Sequence, residues 1–123
     1  MSSSHGSDLL NQIVRIGDVD LLSIQLDNLD AKSLRGLSDQ IRNKIGSGII
    51  LLASVNDGKV SAIAVVTKDL VKSYHAGNLM RELTAKIGGK GGGRPDMAQG
   101  GGTDVDALPA AISWVKEWVE AQT

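Results

Sequence analysis

The chain has 123 residues, with 13 Lys and Arg against 14 Asp and Glu and a formal net charge of −1. That length makes one domain, able to bury roughly two thirds of its unfolded surface, and the near-neutral charge argues against a generic polyanion binder. There is no Cys and no Phe, with only one Tyr and two Trp, which excludes disulfides, thiolate metal sites and a series of base-stacking aromatics.

Met1–Ser7 reads as an expression scar, leaving residues 8–123 as the domain. Without a run of about 20 apolar residues no membrane span is expected, and the default compartment is the cytoplasm. Ile13, Val14 and Ile16 form a short strand, Gly17-Asp18 a tight turn, and Val19 to Leu26 a second strand. Asp30 caps a helix running to about Ile45, with Leu34, Leu37, Ile41 and Ile45 as its apolar stripe and Gly46 ending it. Lys32, Arg35, Arg42 and Lys44 lie on its outer side. Gly48 to Val55 is almost wholly apolar and suits a strand covered on both faces. Asn56-Asp57-Gly58 signals a hairpin into a partner strand, Lys59 to Thr67.

From Ala76 the period returns to that of a helix, with Leu79, Leu83 and Ile87 four apart. The glycine run 88–102 follows, and then an amphipathic helix buries Leu108, Ala111, Ile112, Val115 and Val119. Asp106 is the expected cap of that last helix, because Pro109 then falls in its first turn. Trp114 and Trp118 flank its stripe as core or edge-of-core residues. The expected class is α+β, in the order β-β-α-β-β-α-glycine loop-α, with a small mixed sheet of about four strands.

Catalysis finds little support. His75 is the only histidine after the scar and reads as a helix-start or surface residue. No metal-ligand spacing and no nucleophile elbow is present. The run 88–102 is eight glycines in fifteen residues, interrupted by Lys90, Arg94, Pro95, Asp96, Met97, Ala98 and Gln99. A phosphate-binding P-loop needs Ser or Thr after the lysine, where this chain has Gly91. A dinucleotide fingerprint needs a preceding strand, and here a helix precedes. What remains is a bare backbone surface that can meet folded RNA by shape.

Charge is sorted along the chain. Residues 8–30 hold five Asp against Arg15, whereas 68–95 hold Lys68, Lys72, Arg81, Lys86, Lys90 and Arg94 against Asp69 and Glu82. Lys86, Lys90 and Arg94, four apart, are expected to offset the negative end of the preceding helix dipole and clamp phosphate. The expected RNA-binding set is therefore Lys86, Gly88, Gly89, Lys90, Gly91, Gly92, Gly93, Arg94 and Gln99, with Lys68, Lys72 and Arg81 flanking it. Asp96 is expected to brace the loop.

Gly88 to Gln99, then Gly101-Gly-Thr-Asp104 and Leu108-Pro-Ala-Ala111, closely resemble the extreme C-terminus of bacterial alanyl-tRNA synthetases. Leu29-Asp-Ala-Lys32, Gly46-Ser-Gly48 and Val66-Thr-Lys-Asp69 extend the resemblance over residues 8–123. This is the DHHA1 class of domain, found also as the substrate-binding partner of DHH phosphoesterases. In those enzymes a histidine typically follows the glycines; Arg94-Pro95 stands there instead, which favours the synthetase branch. The resemblance implies a non-catalytic domain that binds tRNA at the elbow, where the D and T loops meet, and helps couple aminoacylation with editing. It implies no cofactor in this segment, ATP and zinc belonging to other domains of the parent enzyme, and a monomeric fragment. The alternatives are the oligonucleotide-binding half of a phosphoesterase and a protein-interaction module with Trp114 and Trp118 at its interface.

Overall fold

Apolar spacing places most of the elements. A computed structural model describes residues 12–122, and the segment 1–7 read as a scar lies outside them. Strand β1 (Val14–Ile16) turns at Gly17 into β2 (Val19–Asp27). Helix α1 (Ala31–Ile45) starts where the Asp30 carboxylate accepts from the Ser33 amide, and it stops at Gly46, whose φ is 77°. Strands β3 (Ile49–Asn56) and β4 (Lys59–Val66) are joined through Asp57 and Gly58, both at positive φ as a type I′ turn requires. Helix α2 (Ala76–Lys86) is capped by His75, whose Nδ1 accepts from the Asn78 amide. This is the helix-start role expected for that histidine.

The glycine run departs from expectation. It folds as two strands, β5 (Lys90–Gly93) and β6 (Met97–Gly102), and not as a loop. The sheet consequently has six strands instead of about four, in the order β1-β2-β3-β4-β6-β5. It is mixed as expected, with β2 and β3 parallel and every other neighbouring pair antiparallel. Glycine carries no strand propensity and no alternation, so these two strands are imposed by pairing with β4 and by packing on α2. A 3₁₀ turn (Val105–Ala107) then leads into helix α3 (Leu108–Gln122). Its cap is Asp104 and not Asp106: the extra 3₁₀ turn moves the start upstream, and the Asp104 carboxylate accepts from the Ala107 amide at 3.2 Å.

Helices cover the sheet on both faces. On one, Leu34 and Ile41 of α1 pack on Leu22, Ile24, Ile50, Leu52, Ile63 and Val65. On the other, Leu79, Leu83 and Ile87 join Leu108, Val115 and Val119 over Leu21, Leu51, Ala53, Ala62 and Ala64. β3 is therefore buried on both sides, which explains its unbroken apolar run. Trp118 is buried against Tyr74, ring centroids 6.2 Å apart, and its indole N–H donates to Glu82. Trp114 is half-buried at the edge of the same cluster. Both tryptophans therefore act as the sequence suggests.

Helix α1 lies over β3 and β4, while α2 spans β4, β6 and β5. β5 and β6 thus carry α2 on one face, and on the other α1 stands beside them, with Met97 packed against its cluster. Gly36, exposed within α1, has nothing within 4 Å of where a Cβ would stand. Gly36→Ala is expected to raise stability by about 1 kcal/mol, the helix-propensity difference, read as a higher urea midpoint at unchanged slope.

Candidate nucleic-acid interface

The glycines of the β5–β6 hairpin are bare first of all for the protein's own sake. A Cβ on Gly91 would stand 2.8 Å from Met80 of α2 and from Gly100 across the ladder. One on Gly100 would stand 2.8 Å from Thr84 and from Gly91. At Gly89, Gly101 and Gly102 it would run into the carbonyls of Gly101, Val60 and Ile87 in turn. Gly93 faces Met97 O and Ala98 just as closely, and Gly88 makes the turn out of α2 at φ 65°. Helix and strands can approach this closely only without side chains between them.

The hairpin hangs from both ends of α2. At the N-terminus the Ala76 and Gly77 amides donate to Pro95 O and Arg94 O at 2.8 and 3.2 Å. At the C-terminus Gly89 N donates to Thr84 O, and Thr103 N and Asp104 N both donate to Ile87 O. The carbonyls expected to repel a ligand are thus occupied by the chain itself. Arg94 lies instead by the positive end of the helix. Asp96 O accepts from Val66 N at 2.9 Å, tying the turn to β4, so the bracing comes through its backbone.

Only the face away from α2 is open. Nothing lies within 4 Å of a Cβ built on Gly92. Alternation puts Lys90 on the same side, because Gly91 between them faces α2. A shallow hollow of about 250 Å³ on this face is lined by Arg35, Gly92, Gly93, Arg94, Met97, Ala98 and Gln99. Further along α1 a second hollow holds Arg42 and Lys68 with Asp69 and Asp96. There the hydroxyls of Ser47 and Thr67 donate to the Asp69 carboxylate and hold its pKa below the ordinary range.

The sequence-predicted cations therefore part company. Gly92, Arg94 and Gln99 line the hollow on the open face, strand alternation turns Lys90 to the same side, and Lys68 lies at the far end of the α1 seam. Lys72 and Arg81 line a cleft of about 480 Å³ with His75, Glu82 and Trp118, between α2 and α3 on the other side. Lys86 lies with its ammonium 4.7 Å from the Trp114 ring centroid. Spacing by four makes no single clamp here, since Lys86 ends a helix while Lys90 and Arg94 bracket a strand of about 13 Å. Arg35 was visible in the sequence only as one of four cations on a helix. No spacing links it to Arg94; the packing of α1 beside β6 does. Among the described residues no cluster of three or more His, Cys, Asp or Glu could hold a metal, and no helix is long and apolar enough to cross a membrane.

The profile of the DHHA1 domain matches residues 18–121. The chain belongs to the DHHA1 domain family. Over 122 residues this DHHA1 domain is 50% identical to the alanine–tRNA ligase of Burkholderia mallei, and over 120 residues 47% identical to that of Saccharophagus degradans. These alignments take in 99% and 98% of the chain but 14% of each ligase. The crystal structure of the C-Ala domain from Aquifex aeolicus alanyl-tRNA synthetase superposes with a TM-score of 0.81 at 30% identity, covering 88% of this chain and 97% of that one. The match is to this non-catalytic domain, distinct from the catalytic core of the ligase, and not to the full enzyme. A second solved structure, "Member of s1p family of ribosomal proteins PF0399 DHH domain", shares the fold at a TM-score of 0.60 and 14% identity, covering 93% of this chain and 29% of that one.

Proposed function

We propose that this DHHA1 domain is the tRNA-binding C-terminal domain of an alanine–tRNA ligase, and that it docks on the outer corner of tRNA. The observation that carries the reading is the open face of the glycine hairpin. It offers a floor at Gly92 without side chains, a hydrogen-bonding amide at Gln99 and cations at Lys90 and Arg94. The corner where D and T loops meet ends in a tertiary base pair with no neighbour stacked outside it. A flat backbone surface can lie against such a pair, and the cations reach the phosphates on either side. Lys72, Arg81 and Lys86 fall outside this contact, and Lys68 lies at its margin. The domain carries no chemistry of its own; ATP, alanine and zinc belong to the rest of the parent protein, in the cytoplasm. By holding the corner of one tRNA, a monomeric domain of this kind keeps it within reach of both aminoacylation and editing sites.

Chemical-shift mapping during titration with an intact tRNA transcript tests this directly. The amides of Gly92, Gly93 and Gln99 are expected to move first, and an acceptor-stem minihelix lacking the corner is expected to compete poorly. Shifts centred on the Lys72 and Arg81 cleft, or equal competition by the minihelix, would count against corner docking and for a strand-end binder of the phosphoesterase kind.

A further inference from the structure

The geometry points to Arg35 of α1 as the second jaw of a clamp with Arg94, the two guanidinium groups closing on one RNA phosphodiester above the Gly92–Gly93 floor. This rests on the tRNA reading and deepens it.

The hollow at Gly92 holds two arginines and no carboxylate. Three other hollows among the described residues differ in charge. The cleft at Lys72 and Arg81 contains Glu82, the one at Arg42 and Lys68 contains Asp69 and Asp96, and the one near β1 holds Lys116 alone. The ion pairs among the described residues join Arg15 to Asp20 and Arg42 to Asp39, so neither Arg35 nor Arg94 is neutralised by an acid. Two arginines converging on one hollow repel each other, and an anion bound between them attracts both and outweighs that repulsion. The planar fork of arginine suits phosphate, which it can take bidentately.

Both jaws stand on fixed backbone. Arg35 is inside the 15-residue helix α1. The Arg94 amide donates to Met97 O at 2.8 Å, while its carbonyl accepts from Gly77 at the start of α2. Neither backbone has to be ordered when RNA arrives, which removes one cost of binding. The floor between them is glycine, so a sugar–phosphate backbone can sink to the level of the sheet.

Anisotropy titrations of an intact tRNA transcript against wild type, Arg35→Gln, Arg94→Gln and the double variant test the clamp, with Arg81→Gln on the opposite face as control. Arg35→Gln is expected to weaken binding by less than the roughly sixfold of a whole phosphate contact at 0.1 M salt, and to flatten the log–log salt slope by less than about 0.7–0.9, because Arg94 still holds the shared phosphate. Its melting temperature should match wild type, since the side chain is exposed. If both jaws hold one phosphate, the double variant loses more than the product of the single losses, because only then is that phosphate left without a cation. Strictly multiplicative losses would show two separate phosphates and overturn the clamp. Wild-type affinity and slope in Arg35→Gln, beside a weakened Arg94→Gln, would remove Arg35 and leave the tRNA reading standing. Failure of the wild-type domain to bind tRNA at low salt would overturn both.

Discussion

Alanine at Gly89 is expected to cost the domain about 3 kcal/mol or more, the upper range for overpacking a closed site. Its methyl group would enter the backbone of Gly101 and Gly102, which has no rotamer by which to give way. Gly89 also lies just past the end of α2, where its amide bonds Thr84 O and Gly102 packs on Ile87. Relief by moving the strand would therefore break the joint between helix and sheet. Against a total stability of about 5–15 kcal/mol, this change alone takes a large share. A urea melt of Gly89→Ala checks it. A midpoint within error of wild type would mean that the glycines are not held bare by internal packing. Gly100→Ala meets the Gly91 backbone and the buried Thr84, both at 2.8 Å, a less severe approach than at Gly89, and is expected to cost less, about 1–3 kcal/mol. Both losses should appear as instability before they appear as weakened RNA binding.

These glycines show where sequence reasoning reached and where it stopped. Several turns and caps were legible because a local rule decides each one: Asp30 and Gly46 around α1 and Asp57-Gly58 between β3 and β4; the same rules put the cap of α3 two residues late, at Asp106 instead of Asp104. The buried stripes of α1 and α3 and the doubly covered β3 followed from apolar period. The hairpin was not legible, because glycine has no side chain in which a strand period could be written. Its extended form is decided by Val60 to Val65 of β4 pairing with Met97 to Gly102 and by Met80 and Thr84 pressing from α2. That same distance in sequence hides the site. Lys90, Arg94 and Gln99 could be singled out because they interrupt the glycine run. Arg35 comes from a helix some sixty residues away, and only the layer order brings it to Gly92. Lys72, Arg81 and Lys86 were neighbours of the run in sequence, yet α2 and the turn before it carry them to the other side of the sheet. Position along the chain ranked them with Arg94; position in space separates them.

Reversing charge on the open face is expected to have the largest effect on RNA. In Lys90→Glu/Arg94→Glu two phosphate contacts are lost, about 40-fold in affinity at 0.1 M salt if each is worth 0.7–0.9 of a log unit per decade of salt. Two carboxylates then face the same phosphates, and the repulsion takes the total beyond 100-fold at low salt. Both side chains are exposed, and neither is ion-paired among the described residues, so the fold should be untouched. The matched variant Lys72→Glu/Arg81→Glu changes charge by the same amount on the other face. It is expected to weaken tRNA binding only through the long-range field, an effect that fades as salt approaches 0.3 M while the difference due to Lys90 and Arg94 persists longer. Filter binding of a tRNA transcript to the two double variants separates local contact from net charge. Equal losses in both would mean that the domain attracts RNA by overall charge and that the hairpin face is no interface. A loss confined to Lys90→Glu/Arg94→Glu fits a contact made where the sheet is bare, with α2 holding that bare face from behind.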